Sequence, residues 1–292
     1  MCSLIQLLVA KPQLDQEKHM DTRIVAVYCL CDDMLKALGY KDDVQCQMTA
    51  AEVMTTAIVA ALYFGGNLEK ARKMLQEEGN IPQMLSKSRF NRRWHRIAGL
   101  FLDLFSQLGE TWKQLNSHLI YVIDSFPVST CDNYRIQRCH LYRDEAFRGY
   151  QASKRRYFYG LKIHLMISKT GQPVEFFLTP GSYSDTSALK LYNFDLPKGS
   201  KLTGDKAYND YEVEDLINDA GISFIPIRKK NSKRPVPPWV HYLRSSYNNL
   251  IGTTGRLMEQ LFPKHIYLVT AQGFELIVAL FVRAYSVSYL FR

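Results

Sequence analysis

The chain has 292 residues, of which 47% are apolar and 22% charged, with a formal net charge of +9. That composition excludes a disordered or low-complexity chain, and the length leaves room for a packed core without disulfide or metal staples. The basic balance points to a polyanionic partner, nucleic acid ahead of an anionic membrane.

The first 115 residues read as helical. Residues 22–38 carry apolar side chains at helical spacing. Thr49-Ala-Ala-Glu52 has capping-box spacing ahead of the apolar run Val53–Phe64, which Gly65-Gly66 stops. Leu68–Glu78 forms the next helix, ended by Gly79. Ser86–Arg96 opens another and holds five Lys or Arg with no acid.

The pattern changes near residue 118. Leu119–Asp124 is an apolar strand ending in an acid, and Tyr157–Ser168 is a long aromatic and apolar strand. Val174–Thr179 follows it across the turn Thr170-Gly171-Gln172, which predicts a hairpin. A short helix at Asp185–Tyr192, a strand at Lys201–Gly204, an amphipathic helix at Tyr208–Asp219 and a strand at Ile222–Ile227 come next. Helical sequence then fills most of 240–290. The apolar stretch Phe274–Phe291, interrupted by Glu275 and Arg283, is expected to be a buried core helix, not a membrane span. Three hairpin-like strands followed by alternating units predict an α/β fold, a mixed sheet with flanking helices. The expected division is a helical DNA-binding domain over 1–115 and a catalytic domain over 116–292.

The six cysteines (2, 29, 31, 46, 131 and 139) show no CxxC pairing, so reduced thiols in a cytoplasmic protein are expected. Cys131, Cys139 and His140 have no second ligand pair at zinc spacing. The first ten residues lack a basic stretch followed by a long apolar core, so no leader is read there.

Two acids stand out. Asp124 closes the apolar run Leu-Ile-Tyr-Val-Ile, where a carboxylate is costly unless a divalent cation or a hydrogen-bonded turn with Ser125 compensates it. Asp205 follows a short strand and precedes a helix, where it could equally be an N-cap. If their strands are neighbours, the carboxylates converge at one sheet end, and hard Mg²⁺ or Mn²⁺ ions prefer such ligands. Basic segments accompany them. Ala146–Leu165 holds five cations among five aromatics, including Lys154, Arg155 and Arg156. Arg228–Arg234 holds five cations in seven residues, including Lys229, Lys230 and Lys233. With Arg89, Arg92, Arg93 and Arg96 of the helical segment, these residues are the candidate DNA contacts, since cations neutralise phosphates and aromatics stack on bases. His164 lies inside an apolar strand and is read as a packed core residue.

Several segments resemble the DDE transposases of bacterial insertion sequences, in particular the insertion sequence 982 group. They are Tyr121–Pro127, Lys154–Gly160, Pro173–Gly181, Gly204–Asp210 and Arg228–Pro235, with Thr49–Gly66 and Ser86–Arg96 resembling that group's N-terminal region. The resemblance implies an RNase H-like catalytic domain that cuts element ends and joins them to target double-stranded DNA with two divalent metals, Mg²⁺ or Mn²⁺. It implies Asp124 and Asp205 as the first two catalytic acids and metal ligands, a homo-oligomer on DNA, no membrane partner, and a cytoplasmic, nucleoid-associated location.

The third acid departs from the pattern. Related sequences carry it in (Ile/Val)-Glu-Thr-Thr-Gly, upstream of a Leu/Phe-Pro-Lys. The matching stretch is Ile251-Gly252-Thr253-Thr254-Gly255, with Phe262-Pro263-Lys264 downstream, so Gly252 stands in the Glu position. Glu259 is the nearest substitute. Seven residues bring it back to the same helix face within about 20°, but about 10.5 Å along the axis, beyond a Glu side chain's reach. The expectation is a chain that folds as a transposase with its catalysis crippled. The alternative is a non-catalytic, sequence-specific DNA-binding protein derived from one.

Overall fold

A computed structural model describes residues 16–132, 136–137, 139–151, 155–229, 232–263, 266 and 270–291. The chain forms two compact units. The first comprises Met1–Leu108, Gln260–Lys264 and Gln272–Arg292, and the second Gly109–Glu259 and His265–Ala271.

The first unit is helical. It contains α1 (Gln16–Ala37), α2 (Ala50–Tyr63), α3 (Leu68–Glu77), α4 (Lys87–Arg96), the start of α5 (Ala98–Leu115) and most of α9 (Ala271–Ser288). The capping box forms as its spacing predicts. The Thr49 hydroxyl accepts from the Glu52 amide at 3.2 Å, and the Glu52 carboxylate accepts from the Thr49 amide at 2.7 Å. The small, apolar sequence of α2 lets it lie buried along most of its length. In α4, Phe90 and Trp94 are spaced to share one face, and both are buried, Trp94 edge-on to Phe101 at 4.6 Å. Helix α9, with the following turn, has the length and the mean hydropathy (1.6) of a membrane span, and 67% of it is buried within the protein. Arg283 within it is 1% exposed, and burial pushes its guanidinium down to about 9, opposed by Asp103.

The second unit is built on a six-stranded mixed sheet: β1 (Ile120–Asp132), β2 (Arg148–Gln151), β3 (Arg156–Ser168), β4 (Pro173–Pro180), β5 (Lys201–Gly204) and β6 (Ser223–Phe224). The long β3 runs antiparallel to β1 on one edge and carries β2 and β4 on the other. On the far edge of β1, β5 pairs in parallel, and β6 pairs in parallel with β5. Helices α6 (Asp185–Leu191), α7 (Tyr211–Asp219) and α8 (Pro238–Leu261) accompany the sheet. This is the mixed sheet with flanking helices that the sequence predicts. The hairpin at Gly171 forms, with that glycine at φ +94°.

Four details differ from the sequence reading. β1 does not stop at Asp124: only its pairing with β5 stops there, and the strand continues beside β3 to Asp132. Pro127, which has no N–H to donate, falls in the stretch that β5 no longer flanks. β2 has no alternating apolar pattern and escapes sequence reading. Tyr208 belongs to a 3₁₀ turn, Lys206–Tyr208, ahead of α7. The strand expected at Ile222–Ile227 is assigned over two residues only, yet the amides of Ser223, Ile225 and Ile227 all reach carbonyls of 200–204. Pro226 sits between two donors, at a position that needs none.

The edge beyond β6 is tied down by a buried bidentate pair. Both Arg228 Nη groups donate to the Glu214 carboxylate at 2.7 Å, and each side chain is 7% exposed. Glu214→Gln is expected to cost about 3 kcal/mol, because it leaves a guanidinium buried without its counter-charge. Urea unfolding measures this, and unchanged stability would contradict it.

His164 is a core residue. Its Nε2 lies 3.0 Å from the Thr179 hydroxyl, and its ring stacks on Phe177 at 4.6 Å. Burial pushes its pKa down to about 4, with Asp185 pulling it up and Lys162 pushing it further down. An unfolded imidazole titrates near 6.5. Between these values the unfolded chain takes up a proton that the folded chain excludes, so stability falls as pH drops from about 6.5 to about 4. The loss is about 3 kcal/mol. His164→Leu is expected to flatten this part of the pH dependence in thermal unfolding, and parallel curves for the two proteins would count against it.

Candidate active site and nucleic-acid interface

The register of β1 with β5 sets the position of the two acids. Ile123 pairs with Gly204, so Asp124 and Asp205 are the next residues on adjacent parallel strands. Neighbouring strands lie about 4.8 Å apart. The two acids are therefore brought together where β5 ends beside β1, although β1 itself continues past Asp124. Their surroundings differ. Asp124 Oδ1 accepts from the Ser125 amide at 2.8 Å, the turn-like contact that its sequence position allows. Burial raises its carboxyl to about 7, the Ser125 amide lowers it, and the charges of Asp205 and Asp185 raise it further. Asp205 is exposed, and its side chain caps the following turn by accepting from the Ala207 amide.

Asp124 lines a cleft of about 470 Å³ whose opposite wall is α8. Gly252, Gly255, Arg256 and Glu259 of that helix line it together. Their spacing of three, four and seven residues is one helical face. A Cβ built on Gly252 meets nothing within 4 Å, so a side chain has room there. Glu259 faces the same cleft, as its helical phase predicts. Gln151 and Arg256 also line it and were not singled out from sequence. Arg256 could have been found from its i+4 relation to Gly252.

Asp185 is the third carboxylate close to Asp124. Its Oδ1 accepts from the Ser125 hydroxyl at 2.7 Å and lies 3.6 Å from Lys162 Nζ. In sequence it read only as the first residue of a helix.

A desolvated carboxyl that neighbouring acids push towards protonation is suited to a hard divalent cation, which favours the ionised form. Asp124 is such a carboxyl, and the exposed Asp205 beside it supplies a second oxygen donor. Gly252 supplies no side-chain oxygen. Among the described residues, no group of three or more His, Cys, Asp or Glu is placed to hold a metal.

The basic residues fall into different surroundings. Arg89, Arg92, Arg93 and Arg96 lie at i, i+3, i+4 and i+7 of α4, on one stripe, and all four line a shallow cleft of about 230 Å³ in the helical unit. Arg89, Arg92 and Arg96 are exposed. Arg93 is ion-paired with Asp42, whose other oxygen accepts from the Ala50 amide at 2.8 Å, so the loop before α2 is fastened to α4. Arg155 and Arg156 are exposed beside β3. In the 228–234 segment the arginines are neutralised within the fold: Arg228 by Glu214, and Arg234 by Asp215 at 2.7 and 2.9 Å. Lys229 and Lys233 are exposed. Lys154 and Lys230 lie outside the described residues. Among the described residues, Cys29, Cys31, Cys46 and Cys139 form no disulfide.

A solved piggyBac transposase, in a synaptic complex with hairpin DNA, is similar at a TM-score of 0.44 and 10% identity, over 99% of this chain and 74% of that one. No curated protein matches the chain. The family model for the transposase DDE domain matches residues 115–268, more than half of the sequence and the segment that carries the sheet, both acids and the Gly252 helix. The chain belongs to the transposase DDE domain family.

Proposed function

We propose that the chain is an insertion-sequence transposase of the 982 group by descent, with Asp124 and Asp205 as its catalytic acids and its third acid lost at Gly252. The observation that carries this reading is the cleft, in which Gly252 stands across from Asp124 with open space where a Cβ would be. Asp124 and Asp205 would hold one divalent cation, Mg²⁺ or Mn²⁺. Such an ion supplies charge stabilisation for phosphodiester cleavage and strand joining. The chain's own contributions are the positioning of the acids by β1 and β5 and a scissile phosphate bound in the cleft beside Arg256. Without a third carboxylate the ion is held weakly and turnover is low.

Residues 1–115, which carry most of the helical unit, are proposed as the DNA reader and 116–292 as the catalytic domain, with most of α9 in that range belonging to the helical unit. Arg89, Arg92 and Arg96 contact phosphates of double-stranded DNA, and Arg155, Arg156, Lys229 and Lys233 add to the footprint, together with Lys154 and Lys230. The functional form is a homo-oligomer assembled on DNA in the cytoplasm, associated with the nucleoid and not with a membrane. The second reading, a DNA-binding protein without catalysis, draws on the same Gly252.

Strand transfer on DNA bearing the inverted repeats that flank the coding region, with Mn²⁺, separates the two. Gly252→Glu is expected to raise product by about 100-fold, the scale of one restored transition-state contact. Glu259→Ala is expected to change nothing. Product unchanged by Gly252→Glu and abolished by Glu259→Ala would show that Glu259 is the working acid.

DNA affinity of the full chain, titrated against salt, tests the reader. Replacing Arg89, Arg92 and Arg96 together by Ala is expected to reduce the slope of log K against log salt by about 3, close to one unit per phosphate contact. An unchanged slope would place the contacts elsewhere.

A further inference from the structure

We infer that Ser125, Asp185, Tyr208 and His164 form a positioning network that fixes Asp124 and Asp205 relative to one another, with Ser125 as its centre. The inference rests on the reading of those two acids as cation ligands.

Ser125 makes two contacts of different kinds. Its amide donates to Asp124 Oδ1 at 2.8 Å, and its hydroxyl donates to Asp185 Oδ1 at 2.7 Å. Asp185 is in turn anchored: Lys162 Nζ lies 3.6 Å away and donates to the Tyr183 carbonyl at 2.7 Å. Across the strand pair, the register partner of Ser125 is His164. Its Nε2 is 3.0 Å from the Thr179 hydroxyl, and its Nδ1 is 3.4 Å from the Tyr208 hydroxyl. Thr179, His164 and Tyr208 thus form one bonded set and Ser125, Asp185 and Lys162 another, and the register of β1 with β3 sets Ser125 and His164 opposite one another.

Tyr208 joins the second acid to the first of these sets. It closes the 3₁₀ turn that Asp205 caps, and its ring packs on the residue just before Asp205: a Cβ on Gly204 would lie 3.0 Å from Tyr208 Cδ2. The Tyr208 ring is fully buried, so its position is set by packing as well as by its hydroxyl. Polar groups buried in an apolar sheet cost stability unless they are hydrogen-bonded. Here they are bonded within the two sets, whose ends are the residues next to Asp124 and the turn that begins at Asp205. Groups that orient metal ligands in this way typically change metal affinity by about 10- to 100-fold when removed.

Mn²⁺ binding to the full chain, followed by titration and by the electron paramagnetic resonance spectrum of the bound ion, tests this alongside DNA affinity and thermal midpoint. Ser125→Ala and Asp185→Asn are each expected to weaken Mn²⁺ binding by about 10-fold and to broaden the spectrum, with DNA affinity unchanged. Ser125→Thr, which restores the hydroxyl, is expected to recover both. Tyr208→Phe keeps the ring and removes only the hydroxyl, so it decides the matter if Asp185→Asn does not fold. Asp124→Asn is the control for the underlying reading. If it abolishes Mn²⁺ binding while Ser125→Ala and Tyr208→Phe bind as the wild type does, the network has no positioning role. If it leaves Mn²⁺ binding intact, the cation reading itself is wrong and the inference falls with it.

Discussion

The parallel pairing of β1 with β5 is the constraint on which the candidate site depends. It aligns Ile123 with Gly204, and so sets two acids that are far apart in the chain side by side where β5 ends. Everything else at the site acts on that juxtaposition. Burial and the neighbouring carboxylates raise Asp124 to about 7. Hydrogen bonds from Ser125 and the turn at Ala207 orient the two side chains. The sheet order places β5 on the open edge of β1, because β3 already occupies the other edge along its whole length.

The α8 wall of the cleft is where the proposed loss of the third acid falls. Helix α8 presents Gly252, Gly255, Arg256 and Glu259 to the cleft on a single face. A helix normally loses up to about 1 kcal/mol for a Gly in place of Ala, and α8 carries two on this one stripe. A Cβ on Gly255 would make only ordinary van der Waals contact with Phe126, at 3.9 Å, and one on Gly252 would meet nothing within 4 Å. Packing therefore requires glycine at neither position. Glu259 shares the face, but nearly two turns of helix separate it from Gly252. On the proposed reading, DNA binding and chemistry are separable, because the arginine stripe of α4 owes nothing to the residues of the cleft.

Local signals in the sequence were read well, and contacts between distant segments were not. The capping box at Thr49, the hairpin turn at Gly171 and the apolar strands beside it follow from residue order over a few positions. Asp124 and Asp205 were visible as acids closing apolar runs, but their convergence required the β1–β5 pairing, which no local pattern encodes. The four residues of β2, Arg-Gly-Tyr-Gln, have no alternation to read, and they become a strand because β3 offers an edge. Asp185 is 60 residues from Ser125 in sequence, so its contact there was invisible. The charge count also needed the fold: Arg228 and Arg234 read as free cations, whereas Glu214 and Asp215 on α7 neutralise them.

The central claim is that Asp124 and Asp205 form one cation site whose missing ligand belongs at Gly252. Anomalous diffraction from a Mn²⁺-soaked crystal of the Gly252→Glu chain tests it most directly. The account predicts an anomalous peak within about 2.3 Å of carboxylate oxygens of Asp124, Asp205 and the introduced Glu, in the range of oxygen-ligated divalent ions. A peak held by Glu259 instead, or no peak beside Asp124 and Asp205, would contradict it.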